Sequence, residues 1–324
     1  MPSGYFVPED LFFCKTHFLI NDMIRKKLFI TAAAFAAIVG CNKIESLQSE
    51  DCKYTLEPNE IAFRASSVGT KAFTEATATS LQSGWNCLAL MSDGTQMFNT
   101  ALSYQSGIYR VSGKTYYYPL DKTMEFYGCY PTSLNINAGT KSIEYTQNPD
   151  TDLIVAKKTD ISAQSNAVSM EFSHALSQVD IKVKGSDANA DYFLKNIYLL
   201  TPADGTYAFT DNAWTSLGTA TEYSYYTNAG AAVSTSAYQA FGSPMSFIPG
   251  PAKLRAVWEC RNKNEDTVIG SYNVTVNVNL QQGVHSTLNL TLPNSDAKEI
   301  NLSVNVQAWN TENIDIEVGG EKLT

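Results

Sequence analysis

The strongest constraint on the fold is a regular alternation of apolar and polar residues in the C-terminal third of the chain. It runs through four successive segments, residues 274–280, 288–292, 302–308 and 314–318. Because side chains alternate between the two faces of a β-strand, each segment predicts a strand with one buried and one solvated face. Four such strands joined by turns are typical of antiparallel sheets packed into a sandwich.

Shorter strand signals, rich in aromatic residues, occupy the N-terminal half. They lie at residues 85–91, 108–111, 116–120, 124–130 and 153–156, separated by turn residues. The Gly-, Thr- and Tyr-rich stretch from about residue 203 to 242 predicts a loop region. Residues 41–324 are too many for one typical sandwich. We therefore predict an all-β protein with two antiparallel β-sandwich domains, residues 54–165 and 166–324.

A short basic and apolar segment precedes these domains. Three basic residues, Arg25 to Lys27, lead into an apolar run at residues 28–39. This run is shorter than the roughly 20 residues that span a bilayer, and it fits the apolar region of a secretory signal peptide. It ends in Ile-Val-Gly-Cys at residues 38–41, which looks like a bacterial lipobox. The alternatives are an ordinary cleaved signal peptide or a buried helix.

The lipobox pattern predicts that residues 23–40 are removed and that Cys41 carries lipid. Two or three acyl chains hold a protein on a membrane far better than one. The polar residues 41–53 then predict a flexible tether between the lipid and the first domain. Residues 1–22 make a poor signal, so we interpret them as an over-extended start with Met23 as the true first residue.

The charge and motif content argue against nucleic-acid binding and against catalysis. The chain has a formal net charge of −9 and no basic block, which does not suit a nucleic-acid partner. No nucleophile-elbow, zinc-protease or phosphate-loop motif occurs. We expect His174 and His285 to be structural or surface residues, and Asp150 and Asp152 to cap a turn rather than hold calcium. The sequence predicts no enzyme and no cofactor.

Two other groups leave alternatives open. The tyrosines at 223, 225 and 226 could stack on the sugar rings of a host glycan, although loop tyrosines are common in exported β-proteins. The cysteines that follow Cys41 are Cys52, Cys87, Cys129 and Cys260. Their wide spacing shows no metal-binding pair, and it is compatible with one disulfide of unknown pairing or with buried free thiols.

The order of several segments resembles the fimbrillin-like family of Bacteroidales surface pili. After the lipobox come the tracts TKAFTEATATS, YYYPLDKTMEFYGCYP, DLIVA, MEFSHALSQVDIKV and LQQGVHSTLNLTL, and then a strand ending in Trp309-Asn310. The resemblance covers most of residues 41–310. It implies two transthyretin-like sandwiches, export as an outer-membrane lipoprotein, and polymerisation with other fimbrial subunits.

The resemblance also implies maturation by a trypsin-like protease that removes the first strand. The matching position for cleavage is Lys71, before Ala72, and Arg64 is the alternative. Lysine stands where the family's protease usually meets arginine, and some members, the anchors at the base of the fibre, are not cleaved.

The physical logic of such an assembly rests on the first strand signal, in which Ile61 and Phe63 would face the core. Burial of each of these side chains would stabilise the fold by about 1.5–3 kcal/mol. Removing the strand would leave an apolar groove that a segment of another subunit could fill. The candidate donor is the terminal strand with Ile314, Ile316 and Val318, which could equally complete its own domain. Such contacts are head-to-tail and build an open fibre.

The sequence thus predicts a stalk or tip subunit of a fimbria that serves adhesion. The alternatives are an uncleaved pilus anchor and a monomeric, lipid-anchored surface protein that binds a host glycan or protein.

Overall fold

The computed structural model describes residues 56–67, 81–294, 301–308 and 313–319. Within these residues no helix has the length and apolar character needed to cross a membrane. The fold is all-β, which confirms the predicted class. The strands of the N-terminal half are β1 (Phe63–Ser67), β2 (Trp85–Met91), β3 (Gln96–Gln105), β4 (Ile108–Val111), β5 (Met124–Tyr130), β6 (Ser142–Thr146), β7 (Ile154–Ile161) and β8 (Val168–His174).

The remaining strands follow in the C-terminal half. They are β9 (Ser177–Gly185), β10 (Ala190–Pro202), β11 (Asp204–Ala208), β12 (Ala213–Leu217), β13 (Ala220–Val233), β14 (Gln239–Ala240), β15 (Met245–Phe247), β16 (Gly250–Asn262), β17 (Val268–Leu280), β18 (Val284–Leu292), β19 (Asn301–Ala308) and β20 (Asn313–Gly319).

Seven strands of the N-terminal half close into a barrel in the order β1-β4-β3-β2-β5-β7-β8. The barrel closes where β1 pairs in parallel with β8, and the other neighbours are antiparallel. Its interior is filled by large side chains that include Trp85, Phe126 and Met170. Strand β2 is buried on both faces because Leu88 and Leu90 point outward into a second apolar cluster. This double burial explains its continuous apolar sequence.

The C-terminal half is a sandwich of two sheets around one apolar core. One sheet has the order β13-β10-β16-β17, and the other runs β14-β9-β18-β19-β20, with β15 also paired to β9. The alternating residues of β17 and β18 face this core, as the sequence pattern predicts, and so do Leu302 and Val304 of β19. Strands β9 and β18 run parallel, which the sequence pattern did not predict.

A small third sheet joins the two halves. Its order is β12-β11-β6, so that β6 from the N-terminal half pairs with β11 from the C-terminal half over five residue pairs. This pairing places the aromatic residues Tyr207 and Phe209 in the apolar cluster that also contains Leu88 and Leu90. The predicted boundary between residues 165 and 166 precedes β8, a strand that completes the barrel.

Two local predictions are wrong. Residues 116–120 form no strand and make only one isolated bridge, at Tyr117, because Pro119 lacks a backbone donor. Leu120 next to it is 93% exposed. Residues 203–242 are not a loop region but contain β11, β12 and β13. Strand β13 is the edge of its sheet, and much of its length is exposed, so it carries little apolar alternation.

Candidate functional site

The first strand, β1, lies between β4 and β8 and closes the barrel. Phe63, the first residue of β1, is buried, and its ring makes edge contacts with Trp85 and Phe126 at centroid distances of 5.5 and 5.0 Å. Ile61, just ahead of the strand, is also buried in this core. Ile61 and Phe63 were both predicted to face inward, and both do. Burial of each side chain stabilises the barrel by about 1.5–3 kcal/mol.

Backbone hydrogen bonds hold the chain on both sides of β1. The N–H of Ile61 donates to the carbonyl of Tyr116 at 2.8 Å, and the N–H of Val168 donates to the carbonyl of Ala62 at 2.8 Å. Phe63 is level with Tyr109 of β4 and with Val168 of β8. An occupant of this position thus needs an extended backbone that pairs on both edges.

A buried ion pair fastens the segment that leads into β1. The Glu60 carboxylate lies 2.8 Å from Nε of Arg110 in β4, and the two side chains are 2% and 16% exposed. Glu60 also accepts a hydrogen bond from the backbone N–H of Glu57 at 2.9 Å. The sequence patterns did not predict this pair, because Glu60 and Arg110 are far apart in the sequence and come together only in the folded barrel.

The residues predicted for processing and lipidation are placed only in part. Arg64, the alternative cleavage position, lies in β1 and its side chain is exposed. Lys71, Ala72 and Cys41 lie outside the described residues. Cleavage after either basic residue would separate Glu60, Ile61 and Phe63 from the rest of the barrel.

The predicted donor residues Ile314, Ile316 and Val318 lie in β20. This strand is at the end of its sheet and pairs with β19, where Ile316 is level with Val304. In this structure β20 thus completes its own sandwich. Because an edge strand is hydrogen-bonded to only one neighbour, it can leave its sheet with the loss of a single row of backbone hydrogen bonds.

Three cysteines are buried free thiols, and Cys52 lies outside the described residues. Cys87 and Cys129 are on adjacent strands, but Cys87 is level with Gly128, so the two side chains face opposite sides of the sheet. Cys87 points into the barrel core and Cys129 into the outer cluster. This arrangement explains why these neighbours form no disulfide.

The remaining polar candidates do not converge on a site. Asp152 is buried and its carboxylate lies 2.7 Å from Nδ1 of His174, while Asp150 is exposed beside it. His285 lies 3.1 Å from Asp180. Within the described ranges, no three His, Cys, Asp or Glu side chains are grouped so that they could hold a metal ion.

The three tyrosines considered for sugar stacking pack against the C-terminal core. Tyr225 is 4% exposed and its hydroxyl donates to the carbonyl of Val179 at 3.2 Å. Tyr223 and Tyr226 are half-buried and pack against phenylalanine rings at centroid distances of 5.9 and 5.3 Å. They do not form an exposed aromatic platform.

Two solved structures of bacterial proteins are similar to this chain. A candidate cell adhesion protein from Parabacteroides distasonis is 7% identical over 82% of this chain and 98% of its own, with a TM-score of 0.55. A second, from Bacteroides uniformis, is 17% identical over 77% and 98%, with a TM-score of 0.47. At these identities the first likeness shows a shared fold.

A search of curated proteins gives no match. The family model described as fimbrillin-like, however, matches residues 66–309, which is most of the chain. The match includes the barrel from the end of β1 onward, the linking sheet and the C-terminal sandwich. The chain belongs to the fimbrillin-like family.

Proposed function

We propose that this chain is a structural subunit, in the stalk or at the tip, of a cell-surface fimbria that serves adhesion. Its membership of the fimbrillin-like family and the adhesion roles suggested for proteins of the same fold support this function. In this proposal the chain acts by assembly rather than by catalysis. It reaches the outer membrane as a lipoprotein acylated at Cys41, and it polymerises with other fimbrial subunits after proteolysis removes β1.

The observation that carries the proposal is the position of β1. This short strand fills a slot between β4 and β8, and its buried side chains Ile61 and Phe63 contact the barrel core. A single cut after Lys71 would leave all of β1 held by non-covalent contacts alone. A cut after Arg64 falls inside β1 and would free only the part that carries Ile61 and Phe63. Its departure would open two strand edges and an apolar slot, which together bind an extended segment.

Strand β20 is the proposed occupant of that slot in the next subunit. It is the last described strand, it lies at a sheet edge, and its sequence alternates Ile314, Ile316 and Val318 with acidic residues. Each subunit that donates β20 still offers its own slot to another copy. The contact is therefore heterologous and extends into a fibre.

A second role, the uncleaved anchor at the base of a fibre, is favoured by how firmly the β1 segment is fastened. Phe63 is packed among aromatic rings and Glu60 is paired with Arg110. A subunit that keeps β1 would remain acylated at Cys41 and end the fibre.

Limited trypsin treatment of the purified chain carrying C41S, which cannot be acylated, tests the proposal. We expect a cut after Lys71 or Arg64, followed by a ladder of oligomers in size-exclusion chromatography. The R64Q/K71Q chain is the matched control and should stay uncut and monomeric. A cut chain that stays monomeric would overturn the proposal, and a chain that resists cutting at both positions would favour the anchor.

A further inference from the structure

Strand β17 forms one edge of the four-stranded sheet in the C-terminal half. It pairs with β16 over eleven consecutive residue pairs without a bulge, from Gly250 with Leu280 to Cys260 with Gly270. On its other side the described part of the chain places no hydrogen-bonded strand. A long and regular edge of this kind presents a row of backbone donors and acceptors to which a further strand can pair.

The sequence of β17 lacks the features that usually keep such an edge from pairing. It has thirteen residues, VIGSYNVTVNVNL, with no charged residue and no proline among them. Natural proteins protect exposed edges with charged residues, proline or bulges, and the one irregularity of this edge lies at its start, between Val268 and Gly270. The edge strands β13 and β20 of the same sandwich do carry charges, namely Glu222 in β13 and Asp315 and Glu317 in β20.

Both rows of side chains along β17 are neutral. The inward row belongs to the apolar core, and the outward row includes Asn273, which is exposed, and Thr275, which is half-buried. At the start of the strand Val268 and Ile269 are 57% and 43% exposed. Two adjacent exposed apolar side chains at an unprotected edge favour a partner strand that covers them.

A second copy of β17 is complementary to this edge. When two such strands run antiparallel with full overlap, a twofold axis passes through Val274, and Asn273 of each copy lies opposite Thr275 of the other. Asparagine and threonine side chains that lie opposite each other can hydrogen-bond, and no like charges meet along the pair. The same register places the exposed apolar residues at the start of each strand beside the end of the other strand.

We propose that β17 is a lateral docking strand through which two copies of this chain join their four-stranded sheets, edge to edge, into one continuous sheet. The inference goes beyond the proposed function and does not need cleavage, because β17 is the same before and after β1 is removed. A single pair of strands is a weak contact, so isolated subunits stay monomeric in dilute solution. In a fibre many such pairs act together, and neighbouring fibres associate side by side.

Sedimentation equilibrium of the uncut C41S/R64Q/K71Q chain, at concentrations up to about 1 mM, tests the inference. This parent chain should show a monomer–dimer equilibrium. Adding N273K/T275K or N273D/T275D places like charges opposite one another and should weaken dimerisation about tenfold or more. An equal mixture of the two variants places lysine opposite aspartate and should restore it.

The matched control is T287K/N289K, which adds the same charges to the outer face of β18, an inner strand of the other sheet. It should dimerise like the parent. A parent that stays monomeric at about 1 mM would overturn the inference, and so would unchanged dimerisation of N273K/T275K. A mixture that stays monomeric, or an equal loss in the control, would show that β17 of a second copy is not the partner. Since none of these chains is cut, failure of this inference is distinct from failure of the proposed function.

Discussion

The side chain of Gln147 bridges the two halves of the molecule by hydrogen-bonding the backbone around Ile248. Its carbonyl oxygen accepts from the N–H of Ile248 at 2.6 Å, and its amide nitrogen donates to the carbonyl of Ser246 at 2.7 Å. Gln147 follows β6 of the N-terminal half, and it is 7% exposed. One side chain thus satisfies two buried backbone groups of the other half.

Removing this bridge should destabilise the whole chain. We expect Q147A to lower the free energy of unfolding by about 2 kcal/mol, because buried backbone groups lose their partners. Urea denaturation measures the effect. Q239A is the control, since Gln239 makes a side-chain bond to the backbone of Ser234 at an exposed position, and it should change stability by less than about 0.5 kcal/mol. Equal effects of the two substitutions would contradict the role given to Gln147.

Truncation of Phe63 should loosen β1 strongly. F63A removes a ring packed against Trp85 and Phe126, and such a cavity costs about 3–5 kcal/mol. Urea denaturation should show this loss. Hydrogen exchange at the amide of Val168, which donates to Ala62, should become faster.

The neighbouring residue offers the control for that experiment. Arg64 is exposed in the same strand, so R64A should change stability by no more than about 0.5 kcal/mol. An F63A chain as stable as R64A would mean that the slot does not depend on its aromatic occupant.

The pH dependence of stability should include a contribution from Asp93. A hydrogen bond from Lys122, at 2.6 Å, and others from Thr95 lower the pKa of this carboxyl from 3.8 to about 2. The folded state therefore favours the charged form. The resulting stabilisation is fully present above the unfolded pKa and is lost as the pH falls through the folded pKa.

We expect the difference in Tm between the parent and D93N to be constant above about pH 5 and to shrink as the pH falls to about 2. The difference should be small because the pair is exposed. K122Q removes the largest cause of the lowered pKa and should reduce this pH-dependent component, while the hydrogen bonds from Thr95 keep part of it. A difference that grows on acidification would have the wrong sign.

The buried cysteines should resist modification in the folded chain. Burial raises the pKa of Cys129 to about 12 and that of Cys260 to about 11, and it also raises the pKa of Cys87. Since the thiolate is the reactive form, iodoacetamide at about pH 8 should label these thiols slowly until urea is added. Peptide mass spectrometry reports each site. A disulfide-linked peptide joining any two of the three would contradict the arrangement.

The strands that sequence patterns predicted well are buried in a regular way, either on one face or on both faces. Residues 274–280 and 288–292 lie in β17 and β18, whose alternate residues face the C-terminal core. The buried sequence of β2 coincides with the predicted strand at residues 85–91. In both cases the burial of a residue follows from its position within its own strand, so a short stretch of sequence is enough to predict it.

Other features depend on distant partners and left no local signal. Strand β13 is stabilised by pairing with β10, although its own residues are largely polar or small. The Glu60–Arg110 pair and the contacts of Gln147 arise only when separate segments meet. The parallel closure of β1 on β8 is likewise a consequence of topology, since a period of two does not distinguish parallel from antiparallel neighbours.

The pairing of β6 with β11 bears on the mechanics of a filament built from such subunits. A shared sheet and the Gln147 bridge oppose hinge bending between the barrel and the sandwich. Each subunit would then behave as a stiff rod segment. Compliance under fluid shear would reside in the junctions between subunits, so the number of junctions per unit length would set how far the filament bends.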